Sequence, residues 1–181
     1  MVSTTLLFQN AYEVLSDPQE RAWYDAHREA ILQGGVGTGN EVDVGGIDLF
    51  PYFSTSCYKG FGDNDEGFYT IYRQVFENLE AEDKEFAPVN PDQYPTFGHL
   101  SSEEMEWHKF YAFFTAYVTP RTYSWLDKYD TRQAENRKIY RLMEKENKKV
   151  RDAARKERNE LVRSLAKFIR KRDKRVLSFN R

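Results

Sequence analysis

The chain reads as mainly α: a small aromatic helical body, then a long basic helix and a short terminal helical segment. Three observations predict this class. Apolar residues between Phe68 and Leu79 recur at offsets of three and four, the spacing of one helix face. Aromatic residues, 15% of the chain, concentrate between Phe50 and Trp125 and can supply a modest core. The last Gly is Gly98 and the last Pro is Pro120, so residues 128–181 hold no helix breaker and are rich in Ala, Leu, Glu, Lys and Arg.

The elements follow from local signals. Phe8–Leu15 reads as the end of a helix, with Ala11, Val14 and Leu15 apolar. Ser16-Asp17-Pro18 breaks and restarts it, because Asp17 is a good N-cap and Pro18 suits the first helical position. Pro18–Leu32 is the second helix, and residues 1–33 form one unit. Residues 34–46 hold six of the ten glycines and few bulky side chains, which predicts a flexible linker. Residues 47–127 are the aromatic body. There, Ile47–Tyr58 shows no clear period, Gly60–Gly67 is a Gly- and acid-rich turn, and Phe68–Glu80 is an amphipathic helix. Asp83–Pro95 is an acidic loop. His108–Val118 is dense in aromatics and reads as a buried helix closed by Thr119-Pro120.

Tyr123–Tyr129 leads into a basic helical arm, residues 128–181. Ile139, Leu142 and Met143 form one apolar patch of this arm; Leu161, Val162, Leu165, Phe168 and Ile169 form a second. Between them Lys145–Glu160 offers only Val150, Ala153 and Ala154. That pattern predicts a rod wet over its middle and anchored at both ends. About 45 unbroken residues would reach ~70 Å.

Charge is split end to end. Residues 1–127 carry 7 Lys/Arg against 21 Asp/Glu, while residues 128–181 carry 20 against 8, and the total of −2 conceals both. Such asymmetry marks a nucleic-acid or acidic-surface partner. The single cysteine, Cys57, excludes an intrachain disulfide and a Cys-based zinc site, and fits a reducing compartment. Its environment should be that of a small buried hydrophobe. No apolar run approaches the ~18 residues of a membrane span, and Met1–Leu7 lacks the marks of a secretory signal. The expected location is cytoplasmic, with the nucleus and nucleolus as further compartments.

No motif points to catalysis. Asp63-Asn64-Asp65-Glu66-Gly67 fails as a calcium loop, since the required Gly falls on Phe68 and the closing Glu on Gln74. Glu103, Glu104 and Glu106 have no nucleophile nearby and read as a solvated loop. Trp107 and His108 read as core. Gly-rich phosphate loops and nucleophile elbows are missing from the sequence. The expectation is a non-enzyme without cofactor or metal.

Ala11-Tyr12-Glu13-Val14-Leu15-Ser16-Asp17-Pro18-Gln19-Glu20-Arg21-Ala22-Trp23-Tyr24-Asp25 closely resembles the last part of a J-domain. The resemblance implies packing roles for Tyr12, Leu15 and Tyr24 and makes Ser16-Asp17-Pro18 the turn between the last two helices. J-domains stimulate the ATPase of a heat-shock chaperone through a His-Pro-Asp turn. None of His27, His99 and His108 is followed by Pro, so this chain alone is not expected to stimulate it.

Pro95-Thr96-Phe97-Gly98, His108–Phe114, Tyr123-Ser124-Trp125, Glu135-Asn136-Arg137 and Met143–Arg151 look like the zuotin-homology region of ribosome-associated J-proteins. With Leu15–Asp25, Gly67–Tyr72 and Phe168–Arg175, the set is similar to the cytosolic J-proteins of late large-ribosomal-subunit maturation. That family carries zinc fingers further on; the resemblance therefore suggests a chain truncated at both ends. It implies binding to large-subunit precursors near the exit tunnel, contacting rRNA and ribosomal proteins. It also implies work with a zinc-finger maturation factor and the ATP-driven heat-shock chaperone. Together they would release a shuttling export factor shaped like methionine aminopeptidase.

The basic arm supplies the RNA contacts expected from this reading: Arg137, Lys138, Arg141, Lys145, Lys148, Lys149, Arg151, Arg155, Lys156, Arg158, Lys171, Arg172, Lys174 and Arg175. They would bind phosphates by counterion release, without reading bases. Tyr140 and Phe179 are secondary candidates for stacking on a base. Two alternatives stand beside it: a zuotin-like nascent-chain co-chaperone on mature ribosomes, and a helical adaptor that needs no RNA.

Overall fold

The computed structural model describes residues 4–32, 46–86 and 94–179. The expected linker therefore falls almost wholly outside the described residues, as does most of the second half of the acidic loop. Among the described residues six α-helices follow in order: α1 (Thr4–Leu15), α2 (Pro18–Leu32), α3 (Phe68–Lys84), α4 (Glu104–Thr115), α5 (Arg137–Arg172) and α6 (Lys174–Phe179). Single 3-10 turns occupy Phe50–Phe53, Thr55–Cys57, Ser124–Leu126 and Thr131–Gln133. Among the described residues there is no strand.

The helix starts are set by short polar side chains. Asp17 accepts hydrogen bonds from Gln19 N (2.8 Å) and Glu20 N (3.1 Å) and opens α2. Asn136 accepts from the amides of Lys138 and Ile139, both at 3.0 Å, and opens α5. Thr55–Cys57 and the bends after it lead to a loop closed by Lys59 N to Glu66 O and Phe68 N to Gly60 O. Gly67 lies against the Gly62 carbonyl with no room for a Cβ atom.

α3 and α4 bury the aromatic core. Phe68, Tyr69, Tyr72, Val75, Phe76 and Leu79 face inward from α3, and Trp107, Phe110, Tyr111 and Phe114 from α4. Their rings meet edge to face, Phe76 on Phe110 at 4.8 Å and Phe68 on Tyr72 at 4.9 Å, arrangements favoured by the ring quadrupole. Leu161, Val162, Leu165, Phe168 and Ile169 of α5 complete the same cluster, with Leu49, Phe53 and Phe97. The core thus draws on both sides of residue 127.

Three expectations need correction. The basic helix is 36 residues long, about 54 Å rather than ~70 Å, because it begins only at Arg137, capped by Asn136, after a 3-10 turn at Thr131–Gln133. Its middle is wet on one side only. Asn147 exchanges hydrogen bonds with the backbone of Tyr129, and Arg151 and Arg158 reach acids and a carbonyl across the interface. Polar side chains dock this stretch where apolar ones are scarce. His108 is exposed, whereas its neighbour Trp107 is buried.

Candidate nucleic-acid interface

α5 begins as a bare cylinder. From Arg137 to Glu146 none of its residues is buried. At ~100° per residue, Arg137, Lys138, Arg141, Lys145, Lys148 and Lys149 fall within an arc of roughly 120°. Lys156 joins the same face. Asn147, Ala154, Arg158, Leu161 and Leu165, all buried, lie on the far side. One helix therefore carries two stripes, one in the core and one in water.

Ion pairing separates the cations further. Arg137, Lys138, Arg141, Lys145, Lys148 and Lys149 are exposed and have no acidic partner among the described residues. Lys156 is exposed and only 3.9 Å from its neighbour Glu160. Arg151 is clamped by Asp127 at 2.8 Å and by Glu144, which raises its pKa further. Arg155 binds Asp152 at 3.0 Å and donates to the carbonyls of Arg121 and Thr122. These two brace the helix against the segment that precedes it.

Arg158 and Arg175 are not part of any surface. Arg158, 2% exposed, donates to Ile47 O at 2.9 Å and to Glu82 at 3.2 Å. Arg175, 7% exposed, binds Asp173, donates to the carbonyls of Phe97 and His99, and lies over the rings of Tyr69 and Phe97. A guanidinium so enclosed cannot reach a phosphate, and both residues leave the candidate site. Lys174 is exposed but sits over the Phe61 ring at 4.4 Å.

Lys171 and Arg172 hold a different contact. Lys171 donates to Asp17 at 2.7 Å, and Arg172 to both oxygens of Glu20 at 3.1 and 2.9 Å. The Lys171 contact, with two backbone amides, lowers the Asp17 pKa to about 2. The hairpin of α1 and α2 is docked there, with Trp23 stacked on Phe53 at 3.9 Å. Tyr24 is half-buried, but Tyr12 and Leu15 are exposed rather than packed, since α1 lies chiefly against α2.

The sequence reading passed over Lys128, Lys167 and Arg170, which are exposed and free of ion pairs among the described residues. Composition cannot distinguish them from paired cations. Tyr140 and Phe179 are both about half-exposed, and Phe179 rests its ring near Trp107 and His108. Among the described residues no His, Cys, Asp and Glu cluster is arranged for a metal, and no helix is long and apolar enough to cross a membrane. Cys57 is half-buried beside the Tyr72 hydroxyl, and burial raises its thiol pKa.

An aromatic helical core, a long helix with a cationic outer stripe and a docked two-helix hairpin define the class: a helical J-protein segment. The family model described as zuotin-like, zuotin homology domain matches residues 67–177, and the chain belongs to the zuotin-homology J-proteins. It is 54% identical over 172 residues to DnaJ homolog subfamily C member 21 of Homo sapiens, covering 94% of this chain and 32% of the human protein. It is 30% identical over 208 residues to J protein JJJ1 of Saccharomyces cerevisiae, covering 92% and 35%, and 28% identical over 171 residues to zuotin of Schizosaccharomyces pombe, covering 94% and 32%. The chain spans about a third of the length of these curated relatives. No solved structure matches it significantly.

Proposed function

We propose that this chain is the ribosome-anchoring part of a J-protein co-chaperone that acts late in large-subunit maturation. The exposed stripe of α5 grips rRNA phosphates near the exit tunnel. The co-chaperone works there with a zinc-finger maturation factor and the heat-shock chaperone to release a shuttling, methionine-aminopeptidase-like export factor. The observation that carries the reading is the set of six unpaired cations from Arg137 to Lys149 on the helix face opposite the core. Paired surface charges contribute little; unpaired ones lined along a rod release counterions from a polyphosphate.

The test reverses Arg141, Lys145, Lys148 and Lys149 to Glu. Co-sedimentation with large-subunit precursors should be lost, with the circular dichroism spectrum unchanged because none of the four is buried. Retained co-sedimentation refutes the anchor. The likeness to zuotin favours a second reading, a nascent-chain co-chaperone. Gradient fractionation separates the two: precursor particles for the first, translating ribosomes for the second. Binding that survives nuclease treatment would indicate an RNA-independent adaptor.

A further inference from the structure

Three aromatic rings border the cationic stripe of α5. Residues 121–129 run antiparallel along the helix and are fastened to it at three points. Arg155 donates to the carbonyls of Arg121 and Thr122, and Arg151 binds Asp127 at 2.8 Å. Asn147 accepts from the Tyr129 amide at 3.0 Å and donates to its carbonyl at 2.8 Å. At ~100° per residue, Arg151 and Arg155 lie roughly 40° and 80° round the helix from Asn147, and Lys148 and Arg141 roughly 100° and 120°. The stripe therefore starts along the edge of this segment. Tyr140 lies roughly 20° from Asn147 and about two turns nearer the start of α5, in line with the segment.

Trp125, Tyr129 and Tyr140 are 48%, 46% and 47% exposed. Trp125 is braced from behind by Tyr123 at 5.1 Å and Phe86 at 5.6 Å. Tyr123 is buried with a left-handed φ of 57°, an uncommon backbone for so large a residue. A strained turn thus holds half of an indole in water. The acids beside these rings are occupied, Asp127 and Glu144 by Arg151 and Asp130 by Arg132.

We propose that this aromatic border makes the anchor selective for unpaired RNA. Bases of a loop, bulge or single strand stack on Trp125, Tyr129 and Tyr140 while their phosphates lie against Arg137, Arg141, Lys145 and Lys148. This role presupposes the phosphate grip proposed above. Base faces are open to a side chain only where the bases are unstacked. Every base has such a face, so the contacts do not depend on sequence. A duplex offers the stripe its phosphates and leaves the rings idle. A protein partner suits the surface less well, because Tyr129 and Tyr140 are ~10 Å apart along the axis instead of gathered into one contiguous interface core.

The test titrates the intact chain with a labelled, unstructured 12-nucleotide RNA and with a 12-base-pair RNA duplex, read by fluorescence anisotropy. Trp125→Leu and Tyr140→Leu should each weaken single-strand binding about fivefold or more, the loss of one stacked base, and leave duplex binding unchanged. W125F and Y140F, which keep a ring, should bind as the parent chain does. Single-strand binding should quench tryptophan emission in the parent chain, and W125L should lose that quench. No residue from Arg137 to Glu146 is buried, so Y140L remains informative should W125L fail to fold. Single-strand affinity indifferent to both Leu variants overturns the proposal, as do equal losses on single strand and duplex, or Phe variants as weak as the Leu ones. Leu variants that bind the single strand normally yet lose co-sedimentation with precursors assign the rings to a ribosomal protein and overturn it as well. A parent chain that binds neither RNA overturns the phosphate grip too. Duplex binding lost on reversal of Arg141, Lys145, Lys148 and Lys149, with the Leu variants normal on both RNAs, overturns the stacking alone.

Discussion

Arginine and lysine residues that look alike in the sequence do different work in this protein. Lys148 stands in water on the outer stripe, whereas Arg175 is enclosed by Asp173, two carbonyls and two aromatic faces. Asp173 is the hub of that cluster. It accepts from Tyr69 at 3.1 Å, Tyr111 at 2.7 Å and the Arg175 amide at 2.9 Å, and so ties α3 and α4 to the junction of α5 and α6. Burial raises both phenol pKa values, which keeps them protonated as donors. Asp173→Asn leaves the Arg175 charge buried without its counterion. It should cost about 3 kcal/mol, read as a lower urea midpoint with an unchanged slope. Nothing in the spacing of Asp173 or Arg175 distinguishes them from the surface charges around them, because the groups that enclose the pair, Tyr69, Phe97 and Tyr111, lie dozens of residues away.

At the scale of elements, the break at Asp17-Pro18 and the start of α3 were legible, whereas the starts of α4 at Glu104, within the expected solvated loop, and of α5 at Arg137 were not, nor was the docking. Asp17 acts within three residues of itself, so its capping role can be read locally; Asn136 caps α5 in the same way, a role not assigned from the sequence. The Phe68–Glu80 helix was visible from its apolar spacing and runs on to Lys84. The docked side of Lys145–Glu160 leaves no hydrophobic pattern, because Asn147, Arg151 and Arg158 dock through polar bonds. The hairpin is held in part through the ion pair of Asp17 with Lys171, which makes it sensitive to acid. The pKa of Asp17 is about 2 when docked against an ordinary 3.8. Its contribution is therefore complete above about pH 4 and is lost as pH falls toward 2. The indole N–H resonance of Trp23 should shift over that interval, with the resonances of the α3 and α4 core unchanged until lower pH. In a K171E variant the Trp23 shift should be displaced already at pH 7.

For the molecule as a whole, one long helix does two tasks by facing two ways. Its inner side completes the core through Leu161, Val162, Leu165 and Ile169, and its outer side carries the unpaired cations. If six of those cations contact phosphates, the logarithm of RNA affinity should fall with the logarithm of salt at a slope of about −4 to −5. Removing four of them by charge reversal should flatten the slope by about 3. Filter binding of a ribosomal RNA fragment from 50 to 300 mM KCl would measure both, and an unchanged slope in the variant would place the phosphates elsewhere.

Whereas α4 ends at Thr115, ahead of the expected stop at Thr119-Pro120, local chemistry in the sequence determined the helical class, the break at Ser16-Asp17-Pro18 and the concentration of positive charge after residue 127. Those depend on neighbours a turn or less away. Which cations are available was decided by the tertiary structure alone. Arg158 and Arg175 are sequestered, and Lys171 and Arg172 hold the hairpin. Arg137 to Lys149 stay without acidic partners among the described residues. A charge is neutralised by what lies near it in space, and the chain brings Glu20 to Arg172 and Glu82 to Arg158 across distances in sequence that no local pattern records.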